Sequence, residues 1–355
     1  MLNSGSGNER KKVSTIRQVA EAAGVSIATV SRVLSGKGGV SEQLAEKVRQ
    51  AAAELNFKPN RVARGLRRQY MQTIGVIVTD IQNPFFTSVL QGIERVLEAS
   101  GYVLLLCNSD EQPNREKIHL ATLQAEGVAG IIIAPTRSET ARYQPVIDSG
   151  LPIVVIDREV PDLRADCVTV NNTDAAISAV NHLISLGHRK IGLIAGPNHA
   201  TTSVARRKGY LQALRDAGIS HVPEYIQLAD YKQCGGYEAM GRLLKLADPP
   251  TAVMVLNNLM TLGALQSIQE HKLRVPGDVA LLGFDDMSWA VCLQPPLTVV
   301  AQPTHALGET AAQLMIDRIQ NPSRPIRKVT LETSLIIRAS TAGADAPFRE
   351  NSCKG

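Results

Sequence analysis

The sequence predicts an all-α helix-turn-helix head followed by an α/β body of two doubly wound parallel-sheet lobes. Three observations carry this reading. The chain has 355 residues, about twice the usual size of one domain. Apolar residues recur at helical spacing as far as Leu55, and from Thr73 short continuous apolar runs alternate with helical stretches. Positive charge is concentrated at the front: residues 10–70 hold thirteen Lys/Arg against four Asp/Glu, whereas 71–355 hold twenty-five against twenty-eight. A basic head on a slightly acidic body points to a polyanion as the partner of the head.

Composition narrows the class further. Hydrophobic residues make up 44% and charged residues 20%, which excludes a mainly disordered, collagen-like or coiled-coil chain. No apolar run approaches the roughly 18 to 20 residues that cross a bilayer. Met1 to Ser14 is polar and basic, without the apolar core of a secretory signal. Five dispersed cysteines without a CxxC pair argue against a disulfide framework or a zinc site. The expectation is a cytoplasmic protein with no membrane partner, no metal and no cofactor. Neither GxGxxG after a strand, GxSxG, GxxxxGKS nor HExxH occurs, so no enzyme is expected.

The head reads as three helices. Ile16, Val19, Ala20 and Ala23 share one face, with Thr15 ahead as a candidate N-cap. Gly24 breaks this helix and a second begins at Val25-Ser26, with Val30, Val33 and Leu34 inward and Thr29, Ser31 and Arg32 outward. A third runs from a capping Ser41 through Leu44, Val48, Ala52 and Leu55, and Pro59 ends it. Two helices crossing at a tight turn need a small contact residue, a residue tolerating positive φ, and a branched residue locking the second helix. Ala20, Gly24 and Val30 supply these at helix-turn-helix spacing.

The stretch TIRQVAEAAGVSIATVSRVLSGKGGVS, followed by LNFKPNRVARGL, closely resembles the LacI/GalR family of bacterial transcriptional repressors. The resemblance spans essentially residues 14–340. It implies that Ile27, Ala28 and Arg32 meet base edges, and that Thr15, Ser26, Ser31 and Asn60 hold phosphates. Arg32 is the one long donor of that set and suits a guanine; Ile27 and Ala28 offer only apolar contacts. Ile27 also reads as a simple packing residue. Residues 59–66 look like the family's hinge helix, with Leu66 as a minor-groove wedge and small Ala63 allowing two helices to approach. The implied organisation is a flexible arm (1–13), a DNA-binding domain (14–57), a hinge (58–70), a two-lobed effector-binding and dimerisation body (71–340) and a disordered tail (341–355). The tail lacks a leucine heptad, so a homodimer is expected.

In the body, apolar runs at 74–78, 103–106, 131–133 and 153–156 alternate with helices near 85–100 and 113–125 and with another before 153. The cycle restarts at 168–170, with strands at 191–195, 252–256 and 279–282 and helices near 174–186, 203–217 and 259–270. Such strands imply parallel sheets covered on both faces, with a break between lobes near 157–170. Ligands of open parallel sheets bind beyond the carboxyl ends of the strands. There the sequence places Thr79-Asp80, Asn83-Pro84-Phe85-Phe86, Asp157-Arg158, Gly196 with Arg206 soon after, Asn257-Asn258, Asp285-Asp286 and Gln302. Carboxylates, guanidiniums and amides beside aromatic rings suit a polyhydroxylated ligand.

This order also resembles the ribose type of periplasmic sugar-binding protein. The resemblance implies that Phe85 and Phe86 sandwich a sugar ring. It assigns its hydroxyls to Asn83, Asp157, Arg158, Arg206, Asn257, Asp285 and Gln302. Trp289 reads equally as a further stacking face or as lobe packing, and Asp285 also reads as a turn cap. The expected function is a ligand-responsive, DNA-binding repressor acting on a palindromic operator as a dimer, with a sugar-like effector in the inter-lobe cleft. A sugar-binding transport protein and a corepressor-dependent regulator of a non-sugar pathway are the alternatives.

Overall fold

A computed structural model describes residues 16–34, 40–55 and 73–342. Thr15, Asn60, Ala63, Leu66, the arm, the hinge and the tail beyond 342 lie outside the described residues. The chain divides into two compact units, Met1–Met71 and Gln72–Gly355.

In the first unit, α1 (Ile16–Ala23), α2 (Ile27–Leu34) and α3 (Glu42–Glu54) enclose a small core of Val19, Ala20, Val30, Val48, Ala51 and Ala52. Gly24 turns the chain at φ 65°, a left-handed conformation that glycine adopts without a Cβ clash. α2 starts at Ile27 rather than at Val25, because Ser26 is its cap: Ser26 Oγ accepts from Thr29 N at 3.1 Å. Ser41 does precede α3, but its carbonyl, not its hydroxyl, takes the first N–H groups, those of Leu44 and Ala45.

The second unit holds two six-stranded sheets. β1 (Thr73–Val78), α4 (Pro84–Ala99), β2 (Val103–Asn108), α5 (Pro113–Ala125), β3 (Gly130–Ile133), α6 (Gln144–Asp148), β4 (Ile153–Ile156) and β5 (Asp166–Val170) come first. Then follow α7 (Asn172–Ser185), β6 (Ile191–Ala195), α8 (Thr201–Asp216), β7 (Ile226–Leu228), α9 (Gln233–Leu244), β8 (Ala252–Val255), α10 (Asn258–Glu270), β9 (Ala280–Phe284) and β10 (Thr298–Ala301). α11 (Thr304–Gln320), β11 (Lys328–Leu331) and β12 (Ser334–Ile336) complete the order. The first lobe's sheet runs β11-β5-β4-β3-β1-β2, all parallel; the second runs β12-β10-β9-β8-β6-β7, with only the β10–β12 pair antiparallel.

The boundary between lobes differs from the sequence expectation. The strand at 166–170 closes the first sheet instead of opening the second, pairing with β4 on one side and β11 on the other. Its first residue explains the placement. Asp166 is fully buried and accepts from Arg318 and Arg324, whose segments return late in the chain, and from Arg327 N at 2.8 Å. The chain therefore crosses between lobes three times: after β5, after β10 and between β11 and β12. α11 lies in the first lobe against α4, where Gly92 and Gly308 let the backbones approach so closely that neither position has room for a Cβ.

β7, α9, α11 and the last two strands are additions to the sequence reading. The ordered body also passes residue 340. Thr341 is buried, and its hydroxyl bonds to His182 Nε2 at 2.9 Å and Thr298 Oγ1 at 2.8 Å. His182 and His188, the latter bonded to Thr251 Oγ1, thus serve packing. Among the described residues no helix is long and apolar enough to cross a membrane, and no group of side chains is arranged to hold a metal ion.

Candidate functional site

The carboxyl ends of strands from both lobes converge on one cavity of ≈ 40 Å³, counting the space open to the centre of a water molecule. All nine strand-end residues singled out by sequence line it: Asn83, Phe85, Phe86, Asp157, Arg158, Arg206, Asn257, Asp285 and Gln302. Thr79, Asp80, Glu111, Thr202, Tyr231 and Lys232 line it as well.

Asp285 leaves β9 in a left-handed conformation (φ 74°), with its N–H on the Val300 carbonyl at 2.8 Å. That turn aims the carboxylate at the cavity, where it accepts from Gln302 Nε2 at 2.5 Å and from the N–H of Asn258, which opens α10. Burial pushes its pKa up, against the opposing charge of Arg206. Asp157 repeats the device after β4: φ is 64°, and burial raises its pKa in spite of Arg158 and Arg206. The neighbouring Asp286 is spent on Arg338 through two bonds of 2.8 Å.

Arg206 sits over the Phe284 ring, its Cζ 3.7 Å from the ring centroid, and donates to Asn172 Oδ1 and to the Leu256 carbonyl, both at 2.7 Å. Asn257 caps α10 through Met260 N, and Asn83 caps α4 through Phe85 N. Asn83 Oδ1 also accepts from Asn258 of the other lobe at 2.8 Å. Gln302 Oε1 is buried without a partner, an acceptor a ligand hydroxyl would satisfy.

Two expected arrangements differ. Phe85 and Phe86 meet edge to face, with centroids 5.0 Å apart and planes at 81°, and both are buried. Rings in that contact leave no gap for a sugar between them, so they form one wall of the cavity rather than a sandwich. Arg158, expected on the ligand hydroxyls, has another partner. Both its Nη atoms donate to Glu111, a residue the sequence reading passed over. Burial alone would raise the Glu111 pKa; the Arg158 charge and hydrogen bonds outweigh it and hold the carboxyl low. Trp289 packs on the core of the second lobe and is absent from the cavity lining.

Lys232 ties the lobes together, reaching Asp80 at 2.6 Å and Asp110 at 2.9 Å. Glu111 had a findable signal, since it follows the end of β2, a strand read from the sequence; Lys232 follows β7, which was not. In the head, Ile27 is 39% exposed, Ala28 and Arg32 are exposed, and Ser31 is half-buried. Exposure of Ile27 on α2 removes the packing explanation for it. Ser26 Oγ, expected on a phosphate, also bonds Thr29 Oγ1 at 2.9 Å.

A helix-turn-helix unit in one chain with a two-lobed, polar strand-end cleft defines a class, the regulatory proteins with a binding-protein-like body. Comparison with known proteins agrees. Residues 15–60 match the family described as bacterial regulatory proteins, lacI family, and residues 180–341 match a periplasmic binding protein-like domain. The chain is 35% identical over 330 residues to the ribose operon repressor of Haemophilus influenzae, covering 92% of this chain and 98% of the relative. It is 35% identical over 339 residues to the HTH-type transcriptional repressor CytR of Escherichia coli, covering 94% and 98%. Among solved structures, the lac repressor dimer bound to operator and an anti-inducer superposes with a TM-score of 0.84 at 29% identity, over 94% of this chain and 100% of that one. A LacI family regulator from Enterococcus faecium with bound ribose superposes at 0.69 and 34% identity, over 76% and 98%. The chain belongs to the lacI family of bacterial regulatory proteins, a family of transcriptional repressors and not of enzymes.

Proposed function

We propose that this repressor binds a pseudo-palindromic operator as a homodimer and is switched by a small sugar-like effector held between the lobes by the nine cleft residues. The observation that carries the reading is the convergence of Asp157, Arg206, Asn257, Asp285 and Gln302, drawn from both lobes, on one cavity. A ligand bonded to both lobes favours one lobe arrangement. Any coupling of that arrangement to the spacing of two DNA-binding heads makes effector and operator binding linked. The relatives support the two halves of the reading: one is named for a ribose operon, one structure holds ribose, and another holds operator DNA as a dimer.

On the DNA side, exposed Ile27, Ala28 and Arg32 of α2 form the base-reading edge. Thr15, Ser26, Ser31 and Asn60 hold phosphates, and Ala63 and Leu66 belong to the hinge contact with the minor groove.

The test is fluorescence anisotropy of the full chain on a palindrome selected from a random pool, with pentoses, hexoses and nucleosides titrated in. An operator affinity that moves with one of them supports the reading and gives its sign, inducer or corepressor. Binding to DNA that no ligand shifts, together with no ligand heat in calorimetry, would defeat it. Arg32→Ala should weaken the selected operator about tenfold or more and relax preference at one base pair. An equal loss on random DNA would remove Arg32 from direct readout.

A further inference from the structure

The loop after β2 enters the cleft through two consecutive left-handed residues, Asp110 at φ 51° and Glu111 at φ 56°, a conformation uncommon outside glycine. The bend sets the Glu111 carboxylate in parallel against the Arg158 guanidinium, at 2.5 and 2.8 Å, with side chains only 18% and 6% exposed. Arg158 Nη1 also donates to the Pro135 carbonyl at 3.1 Å, so both Nη atoms are committed inside the first lobe, while among the described residues Nε has no hydrogen-bond partner and faces Asp157 at 3.6 Å. Lys232 is divided between Asp80 and Asp110. Among the described residues Arg206 makes no salt bridge, but Asp157 and Asp285 lie close enough for their charges to act on it.

A phosphate or carboxylate entering this cleft would meet Asp80, Glu111, Asp157 and Asp285 in its wall and find Arg158 and Lys232 already paired. Placing an anion there also means separating a buried bidentate pair, which leaves Glu111 desolvated beside a second negative charge. A hydroxyl group meets neither obstacle. Carboxylates accept from it, and Arg206 and the amides donate to it.

We propose that Glu111 is a specificity-determining residue: it neutralises Arg158 and restricts the cleft to uncharged polyhydroxylated ligands, excluding their phosphorylated and carboxylated forms. The inference rests on the cleft being the effector site and narrows the ligand class for it.

The experiment compares full-length wild type with Glu111→Gln, Glu111→Ser and Glu111→Asp. Each is melted in inorganic phosphate and in chloride of equal ionic strength, then titrated with D-ribose and D-ribose 5-phosphate by calorimetry. All variants share the basic head, so a difference between them isolates the cleft. The expected result is a phosphate stabilisation of Glu111→Gln and Glu111→Ser that exceeds that of the wild type. Ribose 5-phosphate should gain at least tenfold in affinity for both, and Glu111→Asp should behave as wild type. The serine variant serves where the glutamine variant does not fold. Equal phosphate responses in wild type and folded variants would overturn the proposal, as would wild type binding ribose 5-phosphate as tightly as ribose. If no neutral sugar or nucleoside binds the wild type, the effector reading fails by itself. The phosphate response of the Glu111 variants then still decides charge exclusion.

Discussion

Two buried aspartates show how this protein separates structure from function. Asp166 opens β5 and Asp285 follows β9, and both are nearly inaccessible. Asp166 is saturated: Arg318 and Arg324 each grip both oxygens at 2.8–3.1 Å, and Arg327 adds a backbone N–H. Burial alone would raise its pKa, but these donors hold it below the ordinary aspartate range. Asp285 has one amide and one backbone donor, and burial prevails, so its pKa is raised. A carboxylate of an ionised pair can accept about four bonds. Where the chain itself fills that capacity the group holds the fold. Where capacity is left over beside a cavity, the group is kept for something that arrives.

The largest expected effect lies on the structural side. Asp166→Ala strands two arginines that are mostly buried and unties β5 from the segment carrying β11. Breaking one partner of a buried ionic cluster costs about 3–5 kcal/mol, to be read from urea denaturation. A loss below about 1 kcal/mol would place Asp166 with ordinary surface pairs and dissolve the contrast.

Asp285→Ala comes next. A hydrogen bond to a charged group contributes about 1.5–3 kcal/mol, so effector affinity should fall at least tenfold in calorimetry. Operator affinity without effector should hold, because the proposed base-reading edge lies on α2 and not in the cleft. Unfolding of the body would instead make Asp285 a structural residue like Asp166.

Acidification should separate the two sites without mutation. Asp166 has a depressed pKa, so its stabilisation is complete above the unfolded value of about 3.9 and is lost as pH falls below it. Asp157 and Asp285 have raised values, so their burial opposes folding above those values, and that penalty is relieved as pH falls through them. Effector affinity, which uses the ionised carboxylates, should therefore fade at a higher pH than the folded signal in circular dichroism. Coincident midpoints would break the comparison.

What could be read in the sequence follows the range of the interactions. The head was legible because Ala20, Gly24 and Val30 lie within eleven consecutive residues, and Gly24 does adopt positive φ. Eight of the nine cleft residues were legible because they follow a strand or stand at the start of a helix, and parallel strands deliver their ends to one crevice; Arg206, inside α8, was read only from its nearness to the end of β6. The membership of β5 was not legible. Its five buried residues suit either sheet, and the decision comes from arginines some 150 residues later. β7 is three residues long at a sheet edge, too short to register as a period, which hid Tyr231 and Lys232 at its end. α9 contains Gly235 and Gly236, which argue against helix locally. Gly236 and Gly263 are where α9 and α10 touch backbone to backbone, so tertiary packing overrides the propensity.

The smallest expected effect tests whether the contrast extends to a residue that bridges the lobes. Lys232 stands on the loop before α9 and contacts Asp80 and Asp110 of the first lobe, with its side chain about one-third exposed (32%). Its pairs are partly open to solvent through Lys232 and Asp110, unlike the Asp166 cluster, so each is worth about 1 kcal/mol or less. Lys232→Met keeps the length and apolar stem of the side chain and removes only the charge. The fold should be unaffected, since neither lobe's core includes Lys232. What changes is the balance between closed and open lobes, because the pairs exist only when the lobes meet. The effector should leave the variant a few times faster in stopped-flow experiments. Wild-type release should accelerate with added salt, which weakens ion pairs that are open to solvent, and the variant's release should respond less. If release from both proteins has the same rate and the same salt dependence, Lys232 contributes nothing to closure. The lobes would then be held by Asn83–Asn258 and by the ligand.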